Sequence, residues 1–452
     1  MVDTTDTGNL LYSAQSASIN DLTIITNTGQ EIPVKKLMIE LSYFEDLYSF
    51  VTSGFVILQD GQGLLQKFQI LGQEFLRVNF GRTKTASSNI SRSFRIYKSD
   101  RIPSGNHKSE EITLHFCSEE MLLSESKKLQ KGANPNGELI SVTVNRILKN
   151  DLKISKRLHI EPTTGNYNFN INTLKPFEAI SWLSTYARPV TQNLAGADMI
   201  FYENKNGFHF RSLRSLMAQD PYNTYKVQQI NVEASIEEKT RTVIDYEFVK
   251  SFDVLNDITS GTYANRLISV DPLTRSFKIT DFNYDIYKGT SEPMNGKNNG
   301  ISLDNTNRFG LKNTQNPQSV VKVVVGNSEQ YRVPYIKERP DSVVNDVYVE
   351  NYIPNRTAQI SLANYTLLKV VVPGDPGITA GITVNFNLYT LSSSGNNREL
   401  DPFYSGKYLV NAVRHVLQSQ GAYQTVMELA KESYQTPLSS GSSKNLTEAK
   451  NE

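Results

Sequence analysis

Two stretches far apart in the chain, Phe55 to Cys117 and Leu367 to Lys431, carry four short apolar runs in the same order, with a polar loop at the same point. In the first they are Phe55 to Leu58, Phe75 to Phe80, Arg92 to Lys98 and Glu111 to Cys117; in the second, Leu367 to Val372, Ile382 to Leu388, Lys407 to Leu417 and Tyr423 to Lys431. Each run is rich in β-branched and aromatic residues and bounded by Gly, Pro, Asn or Ser, the mark of strands and turns. The alternation has period two: Tyr423, Thr425, Met427 and Leu429 share one face, Gln424 and Glu428 the other. The second run of each set contains Val-Asn-Phe, at Val78 to Phe80 and Val384 to Phe386. This repetition predicts an internal duplication of one antiparallel β domain. Two unrelated antiparallel sheets also fit the pattern, because short strands joined by polar loops are common.

A chain of 452 residues is too long for one hydrophobic core and divides at its changes of composition. Residues 1–18 are polar and small and form an N-terminal arm, 19–118 the first β domain, and 119–235 an α+β middle domain. The second β domain takes 236–250 together with 356–434, because it lacks an opening strand unless Val243 to Lys250 supplies one. That leaves 251–355 as an inserted β-rich region, with a polar stretch from Lys288 to Pro317 that is a long loop or an arm ordered by a partner, and 435–452 as a flexible tail. Ser118 followed by Glu119 and Glu120, late lysines and Gly132 predicts a capped helix, Gly137 to Asp151 another, and Pro176 a third with Phe177, Ile180, Leu183 and Tyr186 on one face. Met199 to Leu213 reads as a hairpin turning at Asn206-Gly207, and Gly261 to Asp285 as one turning at Asp271-Pro272.

The 47 basic and 46 acidic residues leave a net charge of +1, which provides no long-range field for nucleic acid or an anionic membrane. One cysteine, Cys117, allows no intrachain disulfide and points to folding in a reducing cytoplasm. The first twenty residues lack the basic start and apolar core of a signal peptide, and no apolar run approaches a membrane span. The five histidines show no HExxH spacing, so neither metal nor cofactor is expected. His115 and Cys117 share a strand face, where a buried thiol beside a strand histidine outweighs a nucleophile pair. Gly374 to Gly381 (GDPGITAG) has no Gly-Lys-Ser/Thr and lies between strands, so it reads as a turn; Glu119 and Glu120 diverge on a helix and suit its dipole. The basic run Lys153 to Arg157 and the aromatics around Phe208 read as solvated and core residues instead of a single-strand binding surface. No catalytic residue is expected.

Several ordered motifs together resemble the baseplate hub proteins of contractile-tailed bacteriophages, over most of residues 20–435. They are SGFVILQDGQGLL near the start, FYENKNGFHFRSL in the middle, GTYANRLISVDPLTRSFKITDFNY, the VPGD turn at Val372 to Asp375, DPFYSGKYLVNAVRHVL and GAYQTVMELAKES. The resemblance implies a mainly β fold in which two related antiparallel, tail-tube-like β-barrel domains carry intervening and inserted α+β domains. It further implies a homotrimeric ring in the tail baseplate of the virion, made in the host cytoplasm. Its partners would be the tail tube protein, the central spike protein and other baseplate subunits. A trimer of a duplicated chain offers six similar units to a sixfold tube. After Glu432 only a short polar tail remains, without an oligosaccharide-binding barrel, β-helix or lysozyme segment, so puncturing and wall cleavage, where they occur, are expected of another chain. A hub of a secretion system or another contractile injection device, and a tail-associated wall hydrolase, are the alternatives. The excursion Asp60 to Gln73 follows the same strand of its set as Pro373 to Gly381, which makes Leu64, Leu65 and Phe68 candidate assembly contacts.

Overall fold

The computed structural model describes residues 17–61, 63, 67, 70–82, 89–103, 109–130, 137–167, 171–190, 197–228, 233–271, 275–284, 293–298, 320–325, 352–390, 399–419 and 421–434. The fold is mainly β, and thirteen strands belong to one hydrogen-bonded sheet. The first set is β1 (Ala17–Ile25), β2 (Glu31–Pro33), β3 (Met38–Asp46), β4 (Ser53–Asp60), β5 (Phe75–Arg82), β6 (Ile90–Pro103) and β7 (Glu110–Cys117). The second is β8 (Pro221–Lys226), β9 (Asp245–Lys250), β10 (Thr366–Pro373), β11 (Thr383–Asn387), β12 (Gly406–Gln418) and β13 (Tyr423–Lys431).

Pairing follows β9-β10-β13-β12-β3-β4-β7-β6-β5-β1-β2, with β11 and then β8 branching from β12. Within the first set the order is β3-β4-β7-β6-β5-β1, and within the second β9-β10-β13-β12-β11-β8. In both, the long strand bulges by one residue against its hairpin partner, between Ile96 and Lys98 in β6 and between Val410 and Ala412 in β12. The sets differ at the rim, where β1 runs antiparallel to β5 and β8 parallel to β11. Among the described residues the strands form an open path and no ring closes, so the expected barrels are not seen. The second edge of β3 is taken up by β12 of the other set, from Asp46 opposite Ala412 to Glu40 opposite Gln418.

The inward residues of both sets are apolar. Leu76, Val78, Phe80, Phe94, Ile96, Leu114 and Phe116 fill the first core, and Leu368, Val370, Val384, Phe386, Val410, Met427 and Leu429 the second. Leu417 and Tyr423 cross from the second set into the first core. Each such side chain contributes about 1.5–3 kcal/mol on full burial. Three edge-on or tilted ring neighbours surround the fully buried Tyr43 of β3, with centroids 6.1 Å from Phe80, 5.9 Å from Phe94 and 5.9 Å from His415.

Between the sets lies an α+β part with its own core, including Ile140, Val144, Ile147, Leu148, Phe177, Ile180, Phe201 and Phe208. Helix α1 (Glu119–Ser126) is shorter than its sequence pattern, and Ser118 does not cap it because its hydroxyl is bonded to Thr52 Oγ1 at 2.9 Å. The region Gly137 to Asp151 splits into the strand Glu138–Leu139, the helix Ile140–Arg146 and a wider turn at Ile147–Asp151. Helix α2 (Pro176–Ser184) begins at its proline and buries Phe177, Ile180 and Leu183. The hairpin Met199–Asn204 and Gly207–Ser212 turns at Lys205-Asn206, one residue earlier than Asn206-Gly207. Gly207 has φ +128°, and a Cβ there would lie 2.1 Å from the Arg157 carbonyl oxygen, so the glycine permits the parallel strand Leu158–Ile160 to pair alongside. Pro221–Lys226, inside the stretch assigned to the middle domain, instead joins the large sheet as β8. In the inserted region Ser276–Asn283, Ala264–Asp271 and Val320–Val325 make a three-stranded sheet, and helix α3 (Ile353–Ala363) leads back into β10. Ala17 and Ser18, assigned to the arm, belong to β1. The expected turn at Pro272, most of the polar stretch 288–317 and the tail 435–452 lie outside the described residues.

Gly54 sits where β3 and β4 meet, and a Cβ on it would stand 2.3 Å from the Ser42 carbonyl oxygen and 2.4 Å from the Phe116 ring. Gly54→Ala is therefore expected to lower unfolding stability by about 1–3 kcal/mol, measured as a lower urea midpoint. An unchanged midpoint would show that Ser42 and Phe116 yield to the added methyl without cost.

Candidate functional site

Two buried carboxylates at the hairpin tip join the three parts of the molecule. Glu45, on β3, accepts hydrogen bonds from Tyr43 Oη at 2.8 Å, the Lys205 amide at 2.7 Å, the Ala380 amide at 2.9 Å and the Thr379 hydroxyl. Burial pushes its pKa up, and these donors oppose the rise. Glu203, on the hairpin, accepts from the Thr52 amide at 3.0 Å, Arg92 Nη1 at 2.9 Å and Lys156 Nζ at 2.7 Å. Lys156 also reaches Glu120 at 2.6 Å. Asn204 donates to the Ala380 carbonyl at 3.0 Å, and Lys205 Nζ to the Pro376 carbonyl. Arg356 of α3 holds the far side, donating to the carbonyls of Ser184, Ala197 and Met199, and burial lowers its pKa to about 10.

The sequence-level chemical candidates are placed by this arrangement. Cys117 is buried, which pushes its thiol up to about 11 and disfavours a thiolate nucleophile; His115 instead bonds Asp100 at 3.0 Å. Glu119 pairs with Arg95 at 2.8 Å and Glu120 with Lys156. In Gly374 to Gly381 the backbone amides are used internally: Asp375 N donates to Thr425 Oγ1, Gly377 N to Asp375 Oδ1, Ala380 N to Glu45 and Gly381 N to the Val410 carbonyl. Such a loop has no free nest for a phosphate. Gly381 has φ +87°, and a Cβ there would meet the Tyr202 hydroxyl at 2.3 Å. The aromatics Phe201, Phe208 and Phe210 are core. Among the described residues no three His, Cys, Asp or Glu side chains converge as a metal site, and no helix is long and apolar enough to cross a membrane.

Leu64, Leu65 and Phe68 lie outside the described residues. At the end of their excursion the buried Glu74 carboxylate accepts the amides of Leu71, Gly72 and Gln73, a turn that leaves Leu71 76% exposed. Sequence reasoning missed other exposed apolar residues: Tyr97 and Ile102 on β6, Val249 on β9 with Phe252 after it, and Phe277 and Ile279 on the inserted sheet. Their alternation with polar neighbours marks amphipathic strands, but alternation alone does not say which face is covered.

No family model matches the sequence, and no curated protein matches it. Solved structures do share the fold. A tail protein from Neisseria meningitidis MC58 superposes with a TM-score of 0.53 at 10% identity, covering 91% of this chain and 96% of that one. The 43 kDa tail protein of prophage MuSo2 from Shewanella oneidensis gives 0.50 at 8% identity, covering 91% and 98%. An E. coli type VI secretion system component reaches 0.40 at 8% identity, covering 92% and 76%, too low a score to carry an argument. The chain thus has the fold of phage tail proteins.

His415 lies at the joint of β12 with β3, its Nδ1 2.9 Å from Tyr423 Oη and 3.2 Å from Thr425 Oγ1. Burial takes its pKa from 6.5 down to about 3, so the fold favours the neutral ring. The stabilisation is complete above the unfolded value and is lost, by about 1.4 kcal/mol per pH unit, as pH falls from 6.5 toward 3. His415→Gln lacks this dependence. The stability advantage of the unsubstituted chain, measured by urea unfolding, is expected to shrink by about 2–3 kcal/mol between pH 6.5 and 4.5; a constant difference would show that the ring is not buried neutral.

Proposed function

We propose that this protein is a non-enzymatic structural subunit of a phage tail baseplate hub, a homotrimeric ring that adapts the sixfold tail tube to the threefold central spike. One observation carries the reading. The strand orders β3-β4-β7-β6-β5-β1 and β9-β10-β13-β12-β11-β8 run in step and share a bulge at the same point, as two copies of one unit would. Three chains then present six similar units around a threefold axis. The fold shared with tail proteins supports a place in the virion tail, with tube protein, spike protein and other baseplate subunits as partners. A structural role also accords with the engagement of Glu45, Glu203, Glu120 and Cys117 in the interior.

The Leu64, Leu65 and Phe68 segment is the proposed contact with the tube or a neighbouring hub. Replacing all three with Ser is expected to leave the circular dichroism spectrum and urea midpoint unchanged while weakening co-sedimentation with tube protein at least about tenfold. Unfolding would place the residues in the core, and unchanged co-sedimentation would remove their docking role. In sedimentation equilibrium the full chain is expected to reach a trimer at micromolar concentration, since obligate interfaces commonly bury more than about 2,000 Å². A monomer at that concentration would count against self-assembly.

A further inference from the structure

The joint inside the chain has a vacant counterpart. His115 in β7 lies opposite Phe55 of β4 and, directly after the bulge, Lys98 of β6; Glu428 in β13 lies opposite Lys369 of β10 and, directly after the bulge, Ala412 of β12. Lys98 therefore corresponds to Ala412 and Phe55 to Lys369. Ser42 of β3 pairs with Phe55, and Glu247 of β9 with Lys369, so β9 corresponds to β3. In the observed joint Ser42 faces Val416, four residues after Ala412. The matching position four residues after Lys98 is Ile102.

β3 and the second half of β12 cover one another, and Tyr43, His415 and Leu417 there are fully buried. The counterpart edges are not covered by a strand among the described residues. Among the described residues β9 is hydrogen-bonded as a strand only to β10, and Lys98 to Pro103 of β6 only to β7. Residues Tyr97 to Ile102 are all exposed, with Ile102 at 62%, and Val249 on β9 is 55% exposed. Two open edges with apolar side chains invite strand addition.

We propose that β9 of one copy pairs antiparallel with Lys98 to Pro103 of β6 in a second copy, Glu247 opposite Ile102, repeating between chains the joint that β3 and β12 make within one. The partner is another molecule of this protein. Carrying the register across sets Lys250 opposite Asp100, a cation facing a carboxylate. The contact is heterologous, one edge meeting a different edge, so its repetition closes a ring when the rotation permits. The inference rests on reading the two sets as equivalent units and adds where the copies meet.

The test uses the full chain carrying Glu247→Cys and Ile102→Cys with the buried Cys117 retained. Directly opposed strand residues have Cα atoms about 4.5–5.5 Å apart, within disulfide range. Mild oxidation is expected to give thiol-reversible covalent oligomers on a non-reducing gel. Either single variant, and the displaced pair Glu247→Cys with Tyr97→Cys, should give at least tenfold less. Circular dichroism checks that these exposed positions leave the fold intact, and sedimentation of the unsubstituted chain reports copy number independently. A trimer without the specific crosslink overturns this interface and leaves the trimer reading standing. The crosslink in a ring of another size upholds the interface and overturns the trimer. A monomer without crosslink overturns both.

Discussion

A carboxylate taken out of water must be surrounded by donors or it destabilises the fold by several kcal/mol, and this molecule places two such groups at the tip of one hairpin. Glu45 comes from the first β set and is held by amides of the hairpin and of the loop before β11; Glu203 comes from the hairpin and is held by the first set, by Lys156 and by Thr52. Glu45 is satisfied only when all three parts are present, and Glu203 only when the first set and the middle part are. The geometry thereby makes the relative placement of the two sets a condition of burying charge, a more specific constraint than apolar contact alone.

The apolar alternation was enough to locate most strands of the large sheet, because period-two burial is written into residues such as Ile112, Leu114 and Phe116. The recurrence of that order also read directly, since it needs only the sequence of runs. Partners were less legible. Nothing local says that β3 will pair with β12, because the match between Tyr43 and His415 depends on two segments meeting through the rest of the fold. Smaller misses have local causes: the Ser118 hydroxyl turned to Thr52, the Arg157 carbonyl claimed the space beside Gly207, and Pro221–Lys226 reads as polar chain until β11 lies next to it. The interior engagement of Lys156 and Glu120 was also hidden, since a basic run looks the same whether it faces water or a buried carboxylate.

The two sets are alike in topology and unlike in detail. Their rims run in opposite senses, their cores share few identities, and the loop after β10 is packed under Tyr423 and Tyr202 through Gly374 and Gly381. A ring of such units would offer a partner two alternating surfaces, similar enough to occupy equivalent places and different enough to be told apart.

The joint between β3 and β12 also sets a timetable. Asp46 and Ala412 face one another across 366 residues of chain. At roughly 5–20 residues per second of synthesis, β3 waits on the order of 20–70 s after leaving the ribosome before its partner strand exists. Through that interval the first set has most of its core and an uncovered edge, so crowded nascent chains on one message are most exposed to mispairing at β3. Slower translation of the middle of the gene would lengthen that exposure, and a chaperone that masks strand edges would act at this stage of the protein's life.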